Sequence, residues 1–328
     1  MEHDHKTTGF VQLKTTGTPE VLEYQHGNLL RPKTNEVQIA QQSIGVNFFD
    51  IYYRNGSFPV ENYPVIIGFE AAGIVKEIGP EVVDYKVGDH VAYYKTFGAY
   101  TESRNIDQHE IFKLPSEIPF DLAASVMIKG LTAHMLLKQS HALKPAEVVL
   151  IHGVTGGVGS ILSQWAKALG ANVIGTVGSE AKKKIAVKRG FTQVIDLSSE
   201  DLVTAVHSYT GGKGIDVFYD GIGKATFEKS LSILKDGGSA VLYGWSSGMP
   251  EIDKELMESR NIKFAFDALN NYPLYQDKSG KGLTEIFDLL MNGKIILEAS
   301  LVYPLCQAAH AHSDIESRKT TGSVILKP

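Results

Sequence analysis

One cysteine, Cys306, stands among 328 residues. That excludes a disulfide framework and any zinc site built from several cysteines. A single free thiol fits a reducing compartment. Unbroken apolar runs are also missing. None approaches the roughly 18 residues that would read as a membrane span. Residues 1–6 are polar and histidine-rich, without the apolar centre of a secretory signal. There is no basic excess: Lys and Arg number 32 against 37 Asp and Glu, a formal net charge of -5. A dedicated nucleic-acid binder is not expected from that balance. The eleven histidines are scattered with no metal-ligand spacing. No internal repeat or low-complexity stretch occurs. The expectation is a soluble, cytoplasmic protein with no membrane or nucleic-acid partner.

Hydrophobic residues make up 43 % and charged residues 21 %. This is ordinary globular usage, and the length allows about two domains. The first third reads as short strands and turns. Glu36-Val37-Gln38-Ile39-Ala40-Gln41 alternates like a half-buried strand. The run 68–75 is strand-like but broken by glycines, and Gly88-Asp89 turns into another strand. Residues 120–143 follow a helical pattern that Lys144-Pro145 ends.

Strands and helices alternate after that. The strands are expected at 148–152, 172–176, 193–196, 216–220, 239–243 and 262–268. Helices such as 158–169 and 180–189 lie between them. Short buried strands alternating with helices imply a parallel sheet covered on both faces. Six strands suit a doubly wound dinucleotide fold. Beyond 270 a helix is expected at 283–291, a strand at 295–303, a helix ending near Thr321-Gly322 and a last strand at 324–326. This tail is expected to return to the first domain. The domains are therefore 1–125, completed by 270–328, and 126–269.

The strand 148–152 runs straight into Gly153-Val154-Thr155-Gly156-Gly157-Val158-Gly159, and a helix follows. Glycines permit the tight turn and let backbone N–H groups approach a pyrophosphate. The helix N-terminus adds unpaired donors and partial positive charge. The second strand ends Gly175-Thr176-Val177-Gly178-Ser179, with no carboxylate at its tip. Ser179 and Lys182 would suit a 2′-phosphate, which favours NADPH over NADH. Glu180 opposes this. Lys183 and Lys184 read as the solvated face of a helix.

Several landmarks follow one another in order: Gly45-Val46-Asn47-Phe48-Phe49-Asp50-Ile51-Tyr52-Tyr53-Arg54-Asn55-Gly56, Glu70-Ala71-Ala72-Gly73 and Lys129-Gly130-Leu131-Thr132-Ala133. They continue with Gly156-Gly157-Val158-Gly159, Gln164-Trp165-Ala166-Lys167, Tyr219-Asp220-Gly221-Ile222-Gly223 and Glu316-Ser317-Arg318-Lys319-Thr320-Thr321-Gly322. With these landmarks the sequence resembles the quinone oxidoreductases (zeta-crystallin-like) of the medium-chain dehydrogenase/reductase superfamily. The resemblance implies an α/β protein: a Rossmann domain plus a GroES-like irregular β-barrel domain made from both chain ends, with substrate in the cleft. It implies a cofactor held by Gly156, Gly157, Val158, Gly178, Ser179, Lys182, Ile222, Tyr243, Gly244, Trp245, Ser246, Phe266 and Arg318. Asn47, Asp50, Tyr52 and Thr132 would line its nicotinamide end. Three positions depart from the family pattern. Leu197 replaces a tyrosine that reaches the 2′-phosphate, Trp245 replaces an asparagine, and Gly153 stands where alanine is common.

Zinc-dependent relatives carry a histidine before Glu70, where this chain has Phe69. With one distant cysteine, a zinc mechanism is not expected. Hydride chemistry belongs to the cofactor, and the protein supplies orientation and electrostatics. A quinone accepts hydride without a metal. An enone or enal accepts it at the β-carbon, and the oxygen that gains charge needs a donor. Tyr52 and Asn47 are the candidate donors. Asp50 either touches substrate or braces its loop. His152 and His134 are expected to be structural, Asp220 to fix a turn, and Cys306 to be uninvolved in catalysis. The edge strand at 262–268 is expected to pair across a homodimer. The leading reading is an NADPH:quinone reductase. The alternatives are a 2-alkenal, enone or enoyl-thioester reductase on the same scaffold, and a non-catalytic NADPH-binding sensor or structural protein.

Overall fold

The computed structural model describes residues 6–297 and 301–328. It divides into two compact units. Among the described residues, one comprises 6–129, 274–287 and 301–328, and the other 130–273 and 288–297.

The second unit is built on a six-stranded parallel sheet. Its order is Val194–Asp196, Asn172–Val177, Val148–Ile151, Ile215–Asp220, Leu234–Leu242, Lys263–Phe266. This is the doubly wound order, with the reversal beside Val148–Ile151. Leu150, Ile174, Ile195, Phe218 and Ala240 from five of these strands pack into one buried core. Burial on both faces explains why the strands read as apolar runs rather than as alternating residues.

Gly157–Ala168 follows the first strand, and Glu180–Lys188 follows the second. The long helix of the chain is Phe120–Met135, shorter than its apolar pattern implied, and a π-type turn, Leu136–Ser140, continues it. This segment is long and apolar enough to cross a membrane by composition, yet 67 % of its apolar window is buried inside the protein. It is a core helix.

The first unit is mostly antiparallel. Glu36–Val46 pairs with Glu70–Ile78 on one side and with Val324–Lys327 on the other. The C-terminal strand therefore joins the sheet begun by the N-terminal segment. Ser103–Asp107 also pairs with Glu36–Val46, whose register against Glu70–Ile78 shifts near Gln38 and Gln41. Such bulges bend a strand and let it serve more than one partner. A smaller sheet holds Leu22–Leu29, Lys6–Leu13 and Val65–Ile66. The expected strand at 295–303 is present only as Leu301–Pro304, and residues 298–300 lie outside the described residues.

Candidate active site

In the second unit, the Val148–Ile151 strand enters a turn whose glycines have separate duties. Gly153 has φ +69°, a left-handed conformation that costs any other residue strain. A Cβ on Gly159 would lie 2.2 Å from the Gly153 carbonyl oxygen, so this glycine lets the helix start against the turn. Gly156 is the N-cap of Gly157–Ala168, and no side chain caps the helix. Its first-turn N–H groups therefore face the loop without a side-chain acceptor. The space beside Gly153 and Gly178 is open: a Cβ on either would meet no heavy atom within 4 Å. An uncapped helix start beside open glycines fits a pyrophosphate.

Ser179 caps Glu180–Lys188, its Oγ accepting from the Lys182 N–H at 3.4 Å. The lysine run separates by partner. Lys183 pairs with Glu200 at 2.6 Å, and Lys184 lies 3.9 Å from Glu180. Lys182 is half-buried beside the cap. Leu197 follows the third strand, its N–H donating to the Val177 carbonyl.

At the switch side, Asp220 Oδ1 accepts from the Ile222 and Gly223 N–H groups at 2.7 and 3.0 Å. Its Oδ2 accepts from the Thr226 hydroxyl at 2.7 Å. Asp220 thus fixes the turn that presents Ile222. The Ser247 N–H donates to the Ile222 carbonyl at 2.8 Å, tying the 243–247 loop to that turn. Trp245 and Phe266 meet edge to face, centroids 5.6 Å apart. Tyr243, Gly244 and Ser246 lie between these anchors and are half-buried. His152 bridges Thr176 at 2.9 Å and Ser230 at 2.7 Å and is fully buried, which lowers its pKa. It is a core tie between strands and helix. Thr132 lies on the Phe120–Met135 helix and is half-buried.

In the first unit, Glu36–Val46 ends and Asn47 caps the short helix Phe48–Arg54. Asn47, Asp50 and Tyr52 thus share one cap and one turn. Asn47 is 6 % exposed, and its Nδ2 donates to Glu70 Oε1 at 2.7 Å. Asp50 has no exposure; its Oδ2 accepts from the Asn47 N–H at 2.8 Å and from the Tyr100 hydroxyl at 2.9 Å. Burial pushes its pKa up to about 7. Both bonds of Oδ2 tie Asp50 to its own cap and to Tyr100. Tyr100 also meets His312 Nε2 at 2.8 Å, and Arg54 binds Glu316 through two bonds of 2.7 Å. Both ties join the helix to Ala308–Glu316. Tyr52 is 8 % exposed and sits edge-on to Phe48 and Phe58. Arg318, exposed just beyond Ala308–Glu316, has φ +57°.

The sequence matches two family models. One, described as zinc-binding dehydrogenase, covers residues 157–271, and one described as alcohol dehydrogenase GroES-like domain covers 33–116. A quinone oxidoreductase of Pseudomonas aeruginosa is 38 % identical over 321 residues, spanning 97 % of this chain and 99 % of that protein. The chain belongs to the quinone oxidoreductase family. Within it, the structure of the Escherichia coli quinone oxidoreductase complexed with NADPH superposes with a TM-score of 0.91 at 38 % identity, covering 98 % of this chain and 100 % of that one. The 2-haloacrylate reductase of a Burkholderia species is a related branch, 36 % identical over 321 residues, 95 % of this chain and 96 % of that protein.

This quinone oxidoreductase family member is an oxidoreductase of the two-domain medium-chain dehydrogenase/reductase type, Rossmann plus GroES-like. The zinc in the first family's description meets Phe69 at the expected histidine position. Among the described residues no three His, Cys, Asp or Glu side chains are grouped to hold a metal. Phe69 packs instead against Phe49, Tyr53 and Phe97, with centroids 4.8 to 5.1 Å away. Sequence reasoning assigned no role to Tyr100, Lys129, His312 or Glu316. Glu70 and Lys129 stand inside family landmarks, but nothing in their spacing signals that both are buried.

Proposed function

We propose that this chain is an NADPH-dependent reductase that transfers hydride to quinones without a metal. The observation that carries the reading is the uncapped glycine turn at the start of Gly157–Ala168, with Ser179 and Lys182 at the tip of the next strand. Gly156, Gly157, Val158 and Gly178 would hold the pyrophosphate. Ser179 and Lys182 would hold the 2′-phosphate. Ile222, Tyr243, Gly244, Trp245, Ser246, Phe266 and Arg318 would complete the binding of the cofactor.

When bound, NADPH supplies the hydride. The chain's own residues orient the acceptor and meet the charge that develops on its oxygen. The Asn47 amide and the Tyr52 hydroxyl are the donors for that oxygen. Thr132, on the Phe120–Met135 helix, would face the nicotinamide. Asp50 holds the cap that carries Asn47. A quinone needs no Lewis acid to accept hydride, which suits a site whose histidine position is filled by Phe69.

A second reading is favoured by the 2-haloacrylate reductase relative: hydride addition to an activated alkene, such as an enal or enone. One assay separates them. NADPH or NADH oxidation is followed with a benzoquinone, phenanthrenequinone, acrolein and a cyclic enone, with EDTA throughout. Quinone turnover with NADPH preferred supports the first reading. Turnover of enals alone moves the function to alkenal reduction. Tight NADPH binding with no turnover of any acceptor would overturn both.

A further inference from the structure

Glu70 is fully buried, and each of its oxygens is engaged. Oε2 accepts from the Ile128 N–H at 2.7 Å. Oε1 accepts from Asn47 Nδ2 at 2.7 Å and lies 3.5 Å from Lys129 Nζ. Lys129 is 6 % exposed, and its ammonium also donates to the Val46 carbonyl at 3.1 Å. The two charges therefore grip the chain on both sides of one peptide: Lys129 holds the carbonyl of Val46, and Glu70 holds the side chain of Asn47. Room for this grip is made at Gly45. A Cβ there would lie 2.3 Å from both Glu70 Oε1 and the Ala124 carbonyl oxygen.

We propose that Glu70 is a positioning residue for the reaction, acting through the Asn47 amide, with Lys129 as its counter-charge. This rests on the role given to Asn47 above. A primary amide can rotate to present either its oxygen or its nitrogen to a neighbour. An ionised carboxylate only accepts, so Glu70 admits one orientation, with Nδ2 turned toward it. One Nδ2 hydrogen is spent on Glu70, and the second stays on a fixed nitrogen as the donor for substrate oxygen. A neutral amide in place of Glu70 would offer both a donor and an acceptor, and the carboxylate's share of that preference would vanish, leaving only the capping-box acceptance from the Asp50 N–H.

Two charges held in a dry interior are a costly way to brace a loop. A purely structural pair is replaceable by neutral groups of similar size with little loss. The positioning role is not.

The test is a set of variants of the full chain: Glu70→Gln, the neutral pair Glu70→Gln with Lys129→Met, Asn47→Ala, and Glu70→Gln in the Asn47→Ala background. Steady-state kcat, the KM for NADPH and the thermal midpoint are measured for each. Glu70→Gln alone strands Lys129 and lowers the midpoint. The neutral pair recovers the midpoint yet keeps kcat reduced about tenfold or more, a misdirected donor costing less than the roughly hundredfold or greater loss of a transition-state donor removed outright. KM for NADPH stays unchanged in both. In the Asn47→Ala background, Glu70→Gln adds no further loss of kcat, because its effect runs through an amide that is already absent. A neutral pair with restored kcat would overturn the proposal, as would equal losses with and without Asn47. An Asn47→Ala variant with full activity would overturn the role of Asn47 itself, and the proposal with it.

Discussion

At the scale of single residues, two predictions rest on charges. Lys182 stands beside the Ser179 cap, in the first turn of Glu180–Lys188. Lys182→Ala is expected to raise the KM for NADPH about tenfold, the loss of one charge-assisted hydrogen bond. NADH should be unaffected, and an equal effect on both cofactors would sink the 2′-phosphate role. Asp50 and His312 form a second case, joined through Tyr100. Burial raises Asp50 from 3.8 to about 7, so its folded form binds the proton more tightly than the unfolded chain. Its contribution to stability is therefore lost as pH rises from 3.8 to about 7. Burial, with Arg54 nearby, lowers His312 from 6.5 to about 3. Its contribution is lost as pH falls from 6.5 to about 3. The two slopes oppose each other over most of that window. Thermal midpoints against pH should expose them one at a time. Relative to the unaltered chain, Asp50→Asn steepens the loss of stability toward acid. His312→Gln makes stability fall on going from acid to neutral pH. Parallel profiles for all three proteins would show that neither group carries the assigned proton.

At the scale of elements, legibility followed burial. The Rossmann strands are covered on both faces, so each reads as a short apolar run between turn residues, and all six were readable. The glycine turn was legible because each glycine answers a local steric demand. Gly159→Ala drives a Cβ to 2.2 Å from the Gly153 oxygen. It is expected to cost about 1–3 kcal/mol of stability, the usual range for overpacking. The same shift would move the helix start that faces the pyrophosphate, so NADPH affinity measured by titration should fall with the thermal midpoint. Unchanged affinity would argue that the cofactor lies elsewhere. The hairpin Lys6–Leu13 with Leu22–Leu29 was not legible. Lys6-Thr7-Thr8-Gly9 has no apolar alternation, and its partner strand mixes Glu23, Gln25, His26 and Asn28. The Glu70–Lys129 grip was hidden for another reason. Its partners lie far apart in sequence, and a charged pair at that spacing reads as surface until burial is known. The link from Tyr100 to His312 spans a still longer separation.

At the scale of the whole molecule, the open question is what covers the last strand of the parallel sheet. Lys263–Phe266 pairs with Leu234–Leu242, and among the described residues its other edge has no strand beside it. Phe264 is 40 % exposed and Phe266 45 %. An unpaired edge with exposed aromatic side chains is a template for another strand unless something covers it. A two-fold axis along this edge would pair it with its own copy and close the assembly at two chains. Such pairing buries the two phenylalanines and satisfies the edge N–H and C=O groups together. Phe264→Glu places a charge at that junction without touching the strand's bonds to Leu234–Leu242. Light scattering should find a dimer for the unaltered chain and a monomer for the variant. Phe266 belongs to the proposed cofactor shell, whereas Phe264 does not. The monomeric variant is therefore expected to retain NADPH affinity if each chain carries its own cradle. A monomeric unaltered chain would sink the two-fold pairing, and the exposed phenylalanines on this edge would then need another account.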